Sequence, residues 1–190
     1  QFLRVPFGLS GSPITFQLVL NDVLRDLLNK CCTVYMDDII CFSPDFETHL
    51  VHLQEIFDRL KKANLKLNPK KCHFATDKVV YLGHILTTDG VLPNPEKTSI
   101  VENYPVPKSP KDVRSFLGLV NYYRRFINKC SDIARPLHEL TRKDVEFKWN
   151  AECQEAFDTL KSKLVTPPCL AYPDPNKPFI LTTDASTVAI

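Results

Sequence analysis

The sequence predicts an α+β fold: hairpins alternating with helices over residues 1–92, then a mostly helical region over 93–165. Three observations predict it. Apolar residues fall at helical and strand-like spacing in the order helix, hairpin, helix, hairpin. The composition changes at Pro93. Helix starts are written as a capping residue followed by proline, at Ser12-Pro13, Ser43-Pro44, Asn94-Pro95 and Ser109-Pro110.

From Ser12, the residues Phe16, Val19, Leu20, Val23, Leu24, Leu27 and Leu28 recur at helical spacing. Two β-rich arms, Thr33-Val34-Tyr35 and Ile39-Ile40-Cys41-Phe42, flank Met36-Asp37-Asp38, which reads as a hairpin with its acids at the tip. The second helix opens at Ser43-Pro44 and presents Phe46, Leu50, Leu53, Phe57 and Leu60 on one face. Short strands follow near Cys72–Phe74 and Val79–Leu86, with a turn at Thr88-Asp89-Gly90. Two helices start at Asn94-Pro95 and Ser109-Pro110, a third near Ser131-Asp132, and Asn150 caps a fourth running to about Leu164. Residues 166–178 hold five prolines and read as a linker, and Phe179–Thr183 reads as a new strand.

Composition narrows the class. Hydrophobic residues are 44% and charged residues 24%, the balance of a globular chain, and no apolar run reaches membrane-spanning length. The net charge of +2 announces no nucleic-acid partner by itself. The 7 cysteines are odd in number and form no Cys-x-x-Cys pair, so reduced intracellular thiols are expected rather than a zinc site or a disulfide framework. Neither end carries an initiator Met or a leader pattern, and both look cut from a longer chain.

Asp37 and Asp38 carry the sharpest chemistry. Nucleotide polymerisation uses two Mg²⁺ ions held by hard oxygen ligands, and Mg²⁺ keeps several waters, so few carboxylates suffice. Successive strand residues face opposite sides, so one of the pair binds metal more directly, and we expect Asp37. A lone Asp-Asp is ordinary turn chemistry; its neighbours Tyr35 and Met36 change the odds. Tyr-Met-Asp-Asp between apolar strands resembles the Tyr-x-Asp-Asp box of reverse transcriptases. Val5-Pro6-Phe7-Gly8-Leu9 with Ser12-Pro13 and Phe16-Gln17 resembles the block before that box in gypsy-type LTR retrotransposons. Tyr81-Leu82-Gly83-His84 resembles their primer-grip strand. Ser115-Phe116-Leu117-Gly118-Leu119 through Tyr122-Tyr123-Arg124-Arg125-Phe126 resembles their thumb helix. Thr183-Asp184-Ala185-Ser186 resembles the start of their RNase H domain. The blocks keep the family's order over nearly the whole chain. Ser10-Gly11-Ser12 departs from the gypsy group's usual Asn-Ala pair towards the retroviral version.

The resemblance implies a fold and an activity. Residues 1–92 would be a partial polymerase palm with the metal hairpin and primer grip, 93–165 the thumb and connection, 166–178 a linker, and 179–190 the first strand of an RNase H-like domain. The parent would be an RNA-directed DNA polymerase from a retrotransposon Pol polyprotein, transferring nucleotides to a primer 3′-hydroxyl, with fused RNase H. The competing expectation is a catalytically dead, nucleic-acid-binding remnant. Asp37 and Asp38 would be the catalytic, Mg²⁺-binding pair, with Mn²⁺ as a substitute, and Asp184 one ligand of an incomplete RNase H site. Phe7, Gly8, Tyr35 and Met36, with Tyr81, Leu82, Gly83 and His84, would contact the nucleotide and primer. From the residues alone, Phe7-Gly8 reads equally as a close-approach site for a ligand and as a turn into a helix.

Arg114, Gly118, Tyr122 and Arg125 form a stripe distinct from the apolar face Val113, Phe116, Leu117, Val120, Tyr123 and Ile127. A glycine inside a helix costs about 1 kcal/mol relative to alanine, so Gly118 needs a reason: either an approaching duplex or close helix packing. The resemblance favours the duplex. Arg59, Lys61, Lys62, Lys66, Lys70 and Lys71, with no acid among them, read first as a solvated surface, and Gln17 as a structural hydrogen-bonder. Expected partners are an RNA or DNA template with primer, deoxynucleoside triphosphates, and the rest of the polyprotein (fingers, RNase H, integrase), with no membrane. The expected location is an intracellular, cytoplasmic particle and the nucleus.

Overall fold

A computed structural model describes residues 4–6, 8–174 and 176–180. The chain divides into two compact units, 1–81 and 82–190. That division falls ahead of the composition change at Pro93. Among the described residues no helix is long and apolar enough to cross a membrane.

The first unit contains α1 (Ser12–Val23), β1 (Cys32–Tyr35), β2 (Asp38–Cys41), α2 (Phe46–Lys62), a 3-10 turn at Pro69–Lys71, and β3 (Lys78–Tyr81). β1 and β2 pair antiparallel, with Cys32 opposite Cys41 and Tyr35 opposite Asp38. One face of this hairpin carries Cys32, Val34, Ile39 and Cys41. They join Leu20, Leu24 and Leu27 and the α2 residues Ile56 and Leu60 in a small core. The pleat therefore sends Thr33, Tyr35, Asp38 and Ile40 to the other face.

Several local expectations are corrected. α1 ends at Val23, before Leu24, Leu27 and Leu28. Its first residue, Ser12, does not cap it but donates its hydroxyl to the Pro6 carbonyl. α2 begins at Phe46 rather than Ser43, because the Asp45 carboxylate accepts from the Thr48 N–H at 2.7 Å. Ser43 instead lies within 2.7 Å of His52 and 3.2 Å of His49. The core face of α2 is rotated from the expected one: Phe46 and Leu50 are over half exposed. Cys72–Phe74 is not a strand. It follows the 3-10 turn capped by Asn68, and Phe74 packs edge-on against Phe57 at 6.1 Å.

The second unit contains β4 (His84–Thr87), β5 (Val91–Pro93), α3 (Pro95–Glu102), α4 (Pro110–Tyr122), a 3-10 turn at Arg124–Phe126, α5 (Cys130–Glu139) and α6 (Ala151–Val165). β4 and β5 pair antiparallel around the Thr88-Asp89-Gly90 turn, with His84 opposite Pro93. Three caps sit where the sequence puts them. Asn94 accepts from Glu96 N–H, Ser109 from Asp112 N–H and Asn150 from Cys153 N–H. Each satisfies a backbone donor the helix cannot satisfy itself. The expected apolar face of α4 is buried in full: Val113, Phe116, Leu117, Val120, Tyr123 and Ile127. It packs with α5 and α6 around a ring cluster in which Phe116 and Phe157 approach to 4.6 Å.

The proline-rich segment is docked, not free. Leu170 exchanges two backbone hydrogen bonds with Val91, at 2.8 and 2.9 Å, and the Tyr172 hydroxyl donates to Thr87 O at 3.0 Å. Gly90 permits this contact. Its φ is +146°, and a Cβ there would lie 2.3 Å from the Leu170 carbonyl oxygen. Of the expected strand Phe179–Thr183, Phe179 and Ile180 belong to no regular element, and the rest lies outside the described residues.

Candidate functional site

The β1–β2 hairpin turns over Met36 and Asp37, with Met36 at φ +52°. Positive φ is uncommon for a residue with a Cβ and needs support from its surroundings. The support is Gln17 on α1. Its side-chain oxygen accepts from the Met36 N–H, and its amide nitrogen donates to Val34 O at 3.3 Å and to Asn21 Oδ1 at 2.8 Å. Gln17 thus grips both sides of the tip, the structural role its sequence position suggests.

All four residues from Tyr35 to Asp38 are exposed. The turn presents Asp37 at the tip. Asp38 starts β2 on the face away from the core, opposite Tyr35. Tyr81 is half-buried near this face. Burial pushes its phenol above the ordinary value, Thr33 pulls against that as a hydrogen-bonding partner, and the charge of Asp38 adds to the rise. Two adjacent carboxylates at a solvent-open tip suit a hydrated hard cation, which keeps much of its water. Among the described residues no group of three or more His, Cys, Asp or Glu is placed to hold a metal ion.

Gly8 is exposed, at φ +86°, with nothing within 4 Å of an added Cβ. Phe7 and Asp184 lie outside the described residues. Nearby thiols offer no nucleophile: burial pushes Cys32 up to about 12, and burial also raises Cys31 and Cys41.

In the second unit, Leu82 (φ +45°) and Gly83 (φ +70°) form a tight turn leading into His84. Positive φ at two successive residues is the pattern of a type I′ turn. The turn is fastened to the end of α4. The Tyr122 hydroxyl donates to Leu82 O at 2.7 Å, and the Tyr123 hydroxyl to Gly83 O at 2.8 Å. Gly83 O also accepts from Asn94 N–H at 3.2 Å. His84 Nδ1 lies 2.8 Å from Leu82 O. A carbonyl can only accept, so this contact calls for a proton on Nδ1. The His84 ring stacks on Tyr122 at 5.5 Å and on Phe126 at 5.9 Å. Tyr123 and Asn94 were not singled out for this role. Their signal is nonlocal, since Tyr123 also reads as part of the apolar face.

The stripe expected on α4 is continuous only as far as Tyr122. Arg114 and Gly118 are exposed on α4, and Tyr122 is 55% exposed. Arg125 does not continue it: α4 ends at Tyr122, and Arg125 sits in the following 3-10 turn. Gly118 has nothing within 4 Å of an added Cβ. Among the described residues of this unit, close helix packing therefore does not explain the glycine.

Comparison with known proteins bears on the family. Residues 1–86 match the family described as reverse transcriptase (RNA-dependent DNA polymerase). Residues 149–190 match the RNase H-like domain found in reverse transcriptase, which takes in α6 and the docked segment. The retrovirus-related Pol polyprotein from transposon 297 of Drosophila melanogaster is 46% identical over all of this chain, which covers 18% of that protein. The counterpart from Drosophila transposon opus is 41% identical, again over all of the chain and 20% of the protein. A Schizosaccharomyces pombe transposon Tf2 polyprotein is 37% identical over all of the chain and 14% of the protein. The chain thus spans about a fifth or less of these relatives. Among solved structures, a foamy viral protease–reverse transcriptase in complex with double-stranded DNA superposes with a TM-score of 0.82 and 29% identity. The match covers 90% of this chain and 30% of that one. A complex of the foamy viral enzyme with an RNA/DNA hybrid gives 0.77 and 28%, covering 90% and 23%. Residues 1–86 thus carry a reverse transcriptase domain and residues 149–190 an RNase H-like domain, and the whole chain is similar to part of retrotransposon Pol polyproteins.

Proposed function

We propose that this chain supplies the metal hairpin, primer grip and thumb of an RNA-directed DNA polymerase that extends a primer on an RNA or DNA template. The observation that carries the reading is the Asp37–Asp38 pair, exposed at the end of a hairpin whose tip Gln17 fixes. Reverse transcriptases and RNase H-like enzymes work with divalent metal ions. We assign two Mg²⁺ to the complete polymerase site, with Mn²⁺ as a substitute. Such ions lower the charge on the triphosphate and favour ionisation of the attacking 3′-hydroxyl. Asp37 and Asp38 hold and orient that charge, Asp37 more directly. Tyr35, Met36, Phe7 and Gly8 line the nucleotide and primer end. Leu82, Gly83 and His84, following Tyr81, support the primer strand.

The open face of α4 suits a nucleic-acid duplex. Gly118 leaves room for close approach, Arg114 offers a cation for phosphate and Tyr122 an aromatic edge. Arg125 contributes a second cation from beyond the helix. Asp184 is assigned to the RNase H metal site, deoxynucleoside triphosphates are the substrates, and the remaining polyprotein completes both sites. A cytoplasmic particle is the setting we assign.

Primer extension tests the reading against that of a dead remnant. A chain extended upstream through the complete palm and fingers extends a primer with Mg²⁺, and its Asp37→Asn variant loses at least about a hundredfold in rate, as removal of a principal electrostatic stabiliser does. An extended chain that is inactive, or indifferent to Asp37→Asn, would sink the polymerase reading.

A further inference from the structure

Tyr122 does two things at once. Its ring is exposed on the open face of α4, one turn beyond Gly118. Its hydroxyl turns inward, donating to Leu82 O at 2.7 Å, and its ring stacks on His84 with planes 26° apart. The approach is close enough to require glycine beside it. A Cβ on Gly83 would lie 2.9 Å from the Tyr122 hydroxyl and 3.2 Å from its Cε1. An aromatic residue serving only as a platform for a ligand has no need of an inward hydroxyl.

We infer that Tyr122 is a positioning residue, whose hydroxyl fixes the Leu82–His84 turn relative to the duplex-facing surface of α4. The inference rests on the polymerase reading and goes beyond it. Two successive carbonyls of the turn each take two donors. Leu82 O takes Tyr122 and His84, and Gly83 O takes Tyr123 and Asn94. Three of these donors, Tyr123, Asn94 and His84 itself, are buried or half-buried and serve the unit's packing. Tyr122 alone joins the turn to the exposed surface. A duplex seated against Gly118 and the Tyr122 ring then determines, through one hydroxyl, where the turn holds the primer strand. Because that hydroxyl is near solvent, water replaces its partner cheaply when it is removed, so its role is in placement rather than in stability.

Tyr122→Phe separates the two roles, since it keeps the ring and removes only the hydroxyl. The test is made in the complete reverse transcriptase carrying this chain, with equilibrium duplex binding and the rate of first nucleotide addition measured on preformed complexes. Tyr122→Phe should leave the template–primer Kd within about twofold and slow addition about five- to tenfold, the share of one hydrogen bond. Tyr122→Ala should impair both. Tyr172→Phe, which removes another surface tyrosine hydroxyl of the same unit, should change neither. Equal addition rates for wild type and Tyr122→Phe would overturn the inference. So would a loss confined to duplex affinity, which would make Tyr122 a plain contact. A wild-type enzyme that adds no nucleotide would instead overturn the polymerase reading, and this inference with it.

Discussion

The two units use apolar residues differently. In the second, four large rings form an inner cluster: Phe116, Tyr123, Phe126 and Phe157 are each less than 5% exposed and pack with α5 and α6. In the first, the core is aliphatic and thiol-lined, while Phe42, Phe46, Leu50, Val51, Ile14 and Leu18 stand exposed. Exposed apolar side chains in such number mark surfaces that meet something else. The second unit has the larger buried core. The first carries the acidic tip and leaves much of its apolar surface open. The lesson is a contrast in placement: one unit stands its acidic tip and several apolar side chains in solvent, while the other buries a cluster of rings.

The strongest way to break that comparison is to remove a ring from the second unit. Phe116→Ala deletes a fully buried side chain in contact with Phe157 and Tyr104. It should cost about 3–5 kcal/mol, read by urea denaturation of the chain with a probe in that unit. A loss below about 1 kcal/mol would mean the ring cluster is not the source of stability.

Next is the hairpin's own support. Gln17→Ala removes the hydrogen bonds to Met36 and Val34. Because the site is part-exposed, we expect about 1–2 kcal/mol, concentrated in the hairpin. Hydrogen exchange reads it directly: amides of Met36 and its neighbours should lose protection while α6 does not.

The smallest effect is a pH dependence at the start of α2. The Thr48 backbone N–H, and then its hydroxyl, hold Asp45 below its ordinary value. A carboxyl depressed on folding adds stability above its unfolded value, near 4, and loses it as pH falls through the lower folded value. Asp45→Asn should flatten this acid-side dependence in thermal melts of the chain between pH 5 and pH 2.

How much of this was legible in the sequence follows from distance along the chain. The caps Asn94, Ser109 and Asn150 were readable because a cap bonds its own helix two or three residues on. The hairpin and its acids were readable from two β-rich arms flanking Met36-Asp37-Asp38. Ser43 misled because Asp45 offered a better acceptor and two histidines claimed the serine hydroxyl. The stripe failed at Arg125 because the chain leaves α-helical geometry at Tyr123, whose hydroxyl is tied to Gly83. The docking of Leu170 on Val91 spans most of the second unit, and no local pattern announces it. The candidate site shows the same division. The exposed placement of Asp37 and Asp38 at the hairpin end was legible, whereas the fastening of Leu82 and Gly83 to Tyr122 and Tyr123 was not.

The central claim is that the exposed hairpin tip is where this chain meets its metal. Paramagnetic Mn²⁺ titrated into the isotopically labelled 190-residue chain tests it directly, because line broadening reports even weak binding near each amide. The account predicts broadening centred on Tyr35 to Asp38 at the lowest Mn²⁺ concentrations, much reduced in Asp37→Asn, whose fold stability should stay within about 0.5 kcal/mol of wild type as for other exposed substitutions. Broadening spread evenly over the surface carboxylates, or centred elsewhere and unchanged by Asp37→Asn, would contradict it.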